Sequence, residues 1–190
     1  MAAAGCRKLT FGFETGSPWM LRYIDKRIEL DQVERVLEWC SKHGVWVDLE
    51  VIVGLPYETD ERFQETLHFV LRNRSRINGL AINKYFVVPN SLIGLYPERY
   101  RLKLIREHTT YAELLAENYQ ALLDERNMTA DNFRIYRYDE CEPYRQHKDV
   151  DEGTRRHADA LRECWGDEFR EVQESLAIVD ELLRSTGISP

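Results

Sequence analysis

The stretch VDLEVIVGLPYETDE, residues 47–61, decides the fold. Val51, Ile52 and Val53 form an uncharged β-branched run, the pattern of a strand buried on both faces in a parallel sheet clad by helices. Gly54 and Pro56 end it. Glycine permits a backbone turn, or the approach of another molecule, that any side chain obstructs; proline fixes φ and offers no N–H to a ladder. A helical pattern follows at once, with Thr59 or Asp60 as its cap and Phe63, Leu67, Val70 and Leu71 along one face. Strand end, tight turn and helix start therefore meet within a few residues. That is where α/β folds place ligand sites, outside the carboxyl ends of parallel strands.

Outward from this stretch the same units recur. RKLTFGFE (7–14) reads as a strand, and SPWMLRYID (17–25) as a helix opened by Ser17 as cap and Pro18 at its first position. LDQVERVLEWCSKHG (30–44) has helical periodicity, capped by Asp31 and stopped by Gly44. VWVDLEVIV (45–53) is the next strand, and GLAINKYFVVPNS (79–91) a third, ended by Pro89. Ala2 to Ala4 with Gly5 resemble the last turn of a helix and its terminal glycine, feeding the first strand. Strands alternating with helices at this spacing predict right-handed βαβ crossovers and a parallel sheet. Three such strands alone leave an open parallel edge and an uncovered barrel interior, so the expectation is that another chain completes the sheet or that the sequence is a piece of something longer.

Past residue 100 the pattern changes. TTYAELLAENYQALLDERN (109–127) predicts an amphipathic helix, and FRIYRY (133–138) a short strand or extended segment. Residues 154–185 predict one long or broken helix whose buried face carries Leu161, Cys164, Trp165, Phe169, Val172, Leu176, Val179 and Leu183, with Gly166 as the candidate break. The fold class read from the sequence is α/β: half of a partial (β/α) barrel with parallel strands over residues 1–100, followed by an α-helical extension over 101–190.

Composition narrows the functional classes. A chain of 190 residues with 43% hydrophobic content builds one sizeable core and a small appended module. A net charge of −7 argues against a surface devoted to nucleic acid. Arg72, Arg74 and Arg76 follow a helical pattern and complement its C-terminal dipole. No run approaches the ~18 apolar residues of a spanning helix, and the first residues lack the apolar stretch of a signal peptide, so a cytoplasmic location and no membrane partner are expected. Cys6, Cys40, Cys141 and Cys164 are scattered, with no C-x-x-C pair. Cys40 shares a helical stripe with Val33, Val36 and Leu37 and reads as a core residue. In DECEPYRQH (139–147) Cys141 and His147 lie near carboxylates, but at no specific metal-ligand spacing.

AGCRKLTFGFETGSPWMLRYIDK (4–26), HGVWVDLEVIVGLPYETDERFQETLHFV (43–70) and AINKYFVVPNSLIGLYP (81–97) together resemble the carboxyl-terminal half of a radical SAM enzyme core. The resemblance is nearest to the cobalamin-binding group and its relatives. These share a Gly-x-Glu-Ser-Gly-Ser strand end, a downstream lysine, a Gly-Leu-Pro-Gly-Glu-Thr turn and a Pro-Gly-Thr after the next strand. It covers roughly residues 4 to 98 and implies that the three strands are the fourth, fifth and sixth of a six-stranded partial barrel. It further implies that Gly54, Leu55 and Pro56 are backbone neighbours of the adenosyl group of S-adenosylmethionine, and that Glu14 accepts hydrogen bonds from its ribose hydroxyls. Lys26 would meet the ligand's carboxylate, and Val87 and Val88 would border the adenine.

Three departures qualify the resemblance. Thr15 replaces the usual serine, and Pro-Asn-Ser at 89–91 stands for Pro-Gly-Thr. The C-x₃-C-x₂-C loop that holds a [4Fe–4S] cluster in such enzymes is missing, and four distant cysteines cannot place three thiolates in one short loop. In the complete enzyme the implied cofactors are S-adenosylmethionine and [4Fe–4S], with cobalamin as an optional third. The implied reaction is reductive cleavage to a 5′-deoxyadenosyl radical that abstracts hydrogen from a small-molecule or peptide substrate, whose identity the sequence does not disclose. Alone, the chain is expected to be inactive. The alternative is a non-catalytic subunit or scaffold that binds a partner, such as a chain or domain supplying the missing half of the barrel.

Overall fold

The computed structural model describes residues 2–88, 91–110, 134–142 and 144–165. Its elements are β1 (Lys8–Glu14), α1 (Pro18–Tyr23), α2 (Leu30–Lys42), β2 (Trp46–Val53), α3 (Asp60–Arg72), β3 (Gly79–Lys84), α4 (Leu92–Leu95), β4 (Leu102–Thr110), β5 (Arg134–Glu140) and α5 (His147–Trp165). The described residues fall into two compact units. The first holds residues 2–53, 59–83 and 156–165; the second holds 54–58, 84–88, 91–110, 134–142 and 144–155.

In the first unit β2 lies between β1 and β3 in an open, three-stranded sheet that does not close into a barrel. β1 and β2 pair in parallel from Lys8 opposite Trp46 to Gly12 opposite Glu50; the register then slips, leaving Glu14 opposite Val51. β3 starts at the same end of the sheet. Asn78, just before it, donates its N–H to the carbonyl of Val47, and its Oδ1 accepts the N–H of Val47, both at 2.8 Å. The parallel sheet expected from the sequence is therefore present.

Side-chain alternation sets which face carries the core. Val47, Leu49, Val51 and Val53 are fully buried, whereas Trp46 is exposed and Asp48, Glu50 and Ile52 are half-buried. β2 is thus covered fully on one face and partly on the other, instead of equally on both as its β-branched run suggested, because Ile52 points away from the core. Leu37 and Cys40 of α2, Phe63, Phe69 and Val70 of α3, and Ala158, Leu161 and Trp165 of α5 complete the core cluster. Each such large apolar side chain contributes about 1.5–3 kcal/mol by leaving water.

Thr59 caps α3, its Oγ1 accepting the N–H of Arg62 at 3.4 Å. On that helix Phe69 is buried and Leu71 exposed, so the apolar stripe is rotated from the expected one. The cap of α2 is Glu29; Asp31 lies inside the first turn and pairs with Arg35 at 2.9 Å. Ser17 and Pro18 open α1 as expected, but the Ser17 hydroxyl is buried and does not cap the helix. Gly44 has φ +63 and terminates α2 in the left-handed region.

The turn from β1 into α1 depends on Gly16. A Cβ there would stand 2.8 Å from the Cα of Thr66 and 2.9 Å from the Cβ of Phe69. The Gly16 N–H donates to Thr66 Oγ1 at 2.9 Å, Thr15 Oγ1 meets the same oxygen at 3.0 Å, and Phe13 stacks on Phe69 with centroids 4.5 Å apart. The end of β1 is fastened to α3 by backbone proximity that a side chain would prevent.

In the second unit β4 and β5 form an antiparallel pair, with Leu102 opposite Glu140 and Leu104 opposite Tyr138. β5 begins within the strand expected over 133–138. β4 was not foreseen, and it takes Thr109 and Thr110 from the helix expected over 109–127; the rest of that helix lies outside the described residues. β3 ends at Lys84, earlier than expected, and Pro89 lies outside the described residues. α5 starts at His147, before the predicted 154; Gly166 and the stripe beyond it are also outside.

Gly16→Ala is expected to destabilise the protein by about 1–3 kcal/mol, because the added methyl meets backbone and not a flexible side-chain tip. Urea unfolding followed by circular dichroism checks this: a lowered midpoint with unchanged slope is the expected result.

Candidate functional site

The carboxyl end of β1 is shaped by its bulge. Glu14 has φ +69, a left-handed conformation that non-glycine residues seldom adopt, and it sits where the β1–β2 register slips. The bulge re-aims its carboxylate onto Lys26, whose Nζ lies 2.9 Å from Glu14 Oε1. Gly12 makes room for the pair: a Cβ there would stand 2.6 Å from Glu14 Oε1 and 3.3 Å from Lys26 Nζ. Glu14 and Lys26, predicted separately as ligand contacts, are thus brought together as an ion pair that is partly shielded from water.

The remaining sequence-predicted residues, Gly54, Leu55, Pro56, Val87 and Val88, belong to the second unit. Gly54, Leu55, Pro56 and Val87 are buried, and Val88 is half-buried. Gly54 has φ +80, and a Cβ there would collide with the hydroxyl of Thr154. Its N–H donates to Glu58 Oε2 at 2.8 Å, and its carbonyl accepts the Tyr138 hydroxyl at 2.7 Å. Tyr57, at φ +64, donates its N–H to Glu140 Oε1 at 2.5 Å and its hydroxyl to the carbonyl of Arg101 at 2.5 Å. Glu140 is fully buried and is gripped by both prongs of Arg145, whose third nitrogen donates to the carbonyl of Glu58 at 2.9 Å.

The electrostatics of this turn follow from its burial. Burial pushes the Tyr138 pKa well up, and the negative charge of Glu140 adds to the effect. Its hydroxyl therefore stays a donor to Gly54. Burial also raises the Tyr85 pKa, and Tyr85 meets Tyr138 edge-on at 6.1 Å. For Arg145 burial acts against the charge, yet the hydrogen bond and charge of Glu140 outweigh it and the net shift is upward. Sequence reasoning singled out Cys141 and His147 in this segment and missed Glu140 and Arg145. Cys141 is exposed.

Comparison with known proteins bears on these units. The family described as Radical SAM superfamily matches residues 1–70. The similarity covers 70 of the chain's 190 residues. A similar protein is an uncharacterized methyltransferase of Pyrococcus horikoshii, 33% identical over 69 residues, which are 36% of this chain and 15% of that relative. The chain therefore matches a small part of that relative's length.

The radical SAM match also corrects the sequence reading. Residues 4 to 98 were expected to be the carboxyl-terminal half of the core, nearest to the cobalamin-binding group; the match lies instead on the amino-terminal 1–70 of the chain, and that assignment falls. Successive β/α units of such folds repeat strand, glycine turn and helix, so the pattern reveals the kind of unit without its place in the series.

A [4Fe–4S] cluster does not fit the residues described. Among them no group of three or more His, Cys, Asp or Glu side chains is placed to hold a metal ion. Cys40 is buried in the core, and burial raises the pKa of its thiol and that of Cys164, which opposes the thiolate a cluster needs. In the whole sequence no three cysteines share a short loop.

The first turn of α3 completes the polar features of the matched segment. Asp60 Oδ1 accepts from His157 Nε2 at 2.9 Å and from Arg156 at 2.6 Å, while the His157 ring lies flat on Phe63 with centroids 4.0 Å apart. The hydrogen bond from His157 is the chief reason the Asp60 pKa is lowered; burial opposes it and the Arg156 charge assists. A carboxylate with a lowered folded-state pKa stabilises the fold above its unfolded value of about 3.9 and loses that contribution as pH falls through the folded value. Thermal melts from about pH 6 to pH 2 are therefore expected to show a steeper loss of stability below about pH 4 for the wild type than for Asp60→Asn, which has no carboxylate to protonate.

Proposed function

We propose that the chain is a non-catalytic, partner-binding subunit or scaffold that retains a radical SAM-type parallel sheet and leaves cluster chemistry to another chain or domain. The observation that carries this reading is a radical SAM segment whose cysteines cannot assemble the cluster's ligand set. A second observation supports it. The core-facing residues of central β2 are completely buried, whereas Leu9 and Phe11 on edge strand β1 and Ile82 on β3 are only partly so. Addition of a further parallel strand with its helix would bury that remainder and satisfy the edge of β1.

Within this reading Glu14 and Lys26 are the positions proposed to meet the ribose hydroxyls and carboxylate of S-adenosylmethionine. Gly54, Leu55, Pro56, Val87 and Val88 are the positions proposed to border its adenosyl group. The Glu14–Lys26 ion pair brings these two positions together at one strand end.

Anaerobic iron–sulfur reconstitution of this chain alone, followed by incubation with S-adenosylmethionine and a reductant, is expected to yield substoichiometric iron and no 5′-deoxyadenosine. Mixed with a cluster-bearing radical SAM polypeptide, the chain is expected to sediment as a complex. Cleavage by this chain alone would overturn the reading. Separately, Glu14→Ala is expected to weaken S-adenosylmethionine binding by about tenfold in titration calorimetry. Absence of any heat with the wild type would remove the ligand assignment and leave the partner-binding one standing.

A further inference from the structure

The turn Gly54–Glu58 lies inside the segment that matches the radical SAM family, yet it forms one compact unit with the described residues between Lys84 and Arg155. Its bonding explains why. The Gly54 carbonyl is held by Tyr138, the Tyr57 N–H by Glu140, the Tyr57 hydroxyl by the Arg101 carbonyl and the Cys141 N–H, and the Glu58 carbonyl by Arg145. All of these partners come from more than forty residues further along the chain. Meanwhile Tyr57 occupies a left-handed conformation that is strained for a non-glycine residue unless something compensates it.

We propose that Glu140, itself fixed by Arg145, is the positioning residue of this turn. Its buried carboxylate takes the Tyr57 N–H and so holds the left-handed backbone, while Arg145 neutralises that carboxylate and ties it to the Glu58 carbonyl. The shape in which the radical SAM segment presents Gly-Leu-Pro is therefore set by residues that the family match does not include. This inference goes beyond the partner-binding reading and does not depend on it, because it concerns the turn's conformation and requires no ligand.

The test is amide hydrogen exchange, residue by residue, on the full chain. In Glu140→Ala the Tyr57 amide is expected to exchange at least about tenfold faster, through local opening, while the amides of Val47–Val53 keep wild-type rates. Glu140→Gln, which retains an acceptor for the Tyr57 N–H, is expected to recover part of that protection. Unchanged Tyr57 exchange in Glu140→Ala overturns the proposal. So does equal acceleration in β2, which would make Glu140 a general structural residue. Should Glu140→Ala fail to fold, Arg145→Lys decides. It keeps the charge but loses the fork, so faster Tyr57 exchange with β2 unaffected supports the strap, and unaltered Tyr57 protection sinks it.

Discussion

Burial of one face of β2 is the constraint on which the first unit depends. Val47, Leu49, Val51 and Val53 lose all exposure, and helices α2, α3 and α5 each contribute side chains to the cluster that covers them. Because successive residues of a strand point to opposite faces, this leaves Asp48, Glu50 and Ile52 on the other side, where the sheet is only partly covered. The same burial brings α3 hard against the end of β1. Phe13 stacks on Phe69, and Gly16 approaches Thr66 too closely for any side chain. The direction in which the chain leaves β1, and hence the placing of Glu14 and Lys26, follows from this packing.

A different balance holds the turn after β2. A fully buried carboxylate is costly unless it is paired and hydrogen-bonded. Glu140 meets both conditions, through the fork of Arg145 and the N–H of Tyr57. Removing one partner of such a pair leaves the other's charge uncompensated, a larger loss than the net worth of the pair itself. Tyr138 acts without charge: its upward-shifted pKa keeps its hydroxyl protonated and available to the Gly54 carbonyl. The turn thus owes its form to electrostatics, and the sheet owes its form to apolar burial.

This division accounts for what the sequence disclosed. Apolar periodicity is local and survives in one dimension, so β1, β2, α2 and α3 were legible from it within a few residues. The run Val51-Ile52-Val53 hid an alternation, since Ile52 is as apolar as its neighbours although it faces the other way. Leu71 was placed on the buried stripe and Phe69 was not, because a helix carrying so many apolar residues leaves its angular position under-determined. Glu140 and Arg145 gave no signal at all: a charged pair in DECEPYRQH looks solvated until the fold closes over it. Position within a series of β/α units was likewise beyond reach of periodicity, since each unit repeats the last.

The separation of fold from cofactor chemistry gives the partner-binding reading its physical basis. In small metalloproteins that lack a sufficient core, metal binding supplies the folding energy, and loss of the ligands unfolds the chain. Here the core cluster is apolar throughout and includes Cys40 as a packing residue. A sheet stabilised in that way persists without thiolate ligands and remains free to serve as a surface. The strand-end pair points in the same direction. Glu14 and Lys26 neutralise one another at 2.9 Å, with both side chains mostly shielded. A ligand carrying hydroxyls and a carboxylate would have to exchange this internal bond for two new ones, so its net gain would be smaller than two free hydrogen bonds suggest. Charge satisfaction within the chain therefore holds the β1 end in place through the Glu14–Lys26 pair.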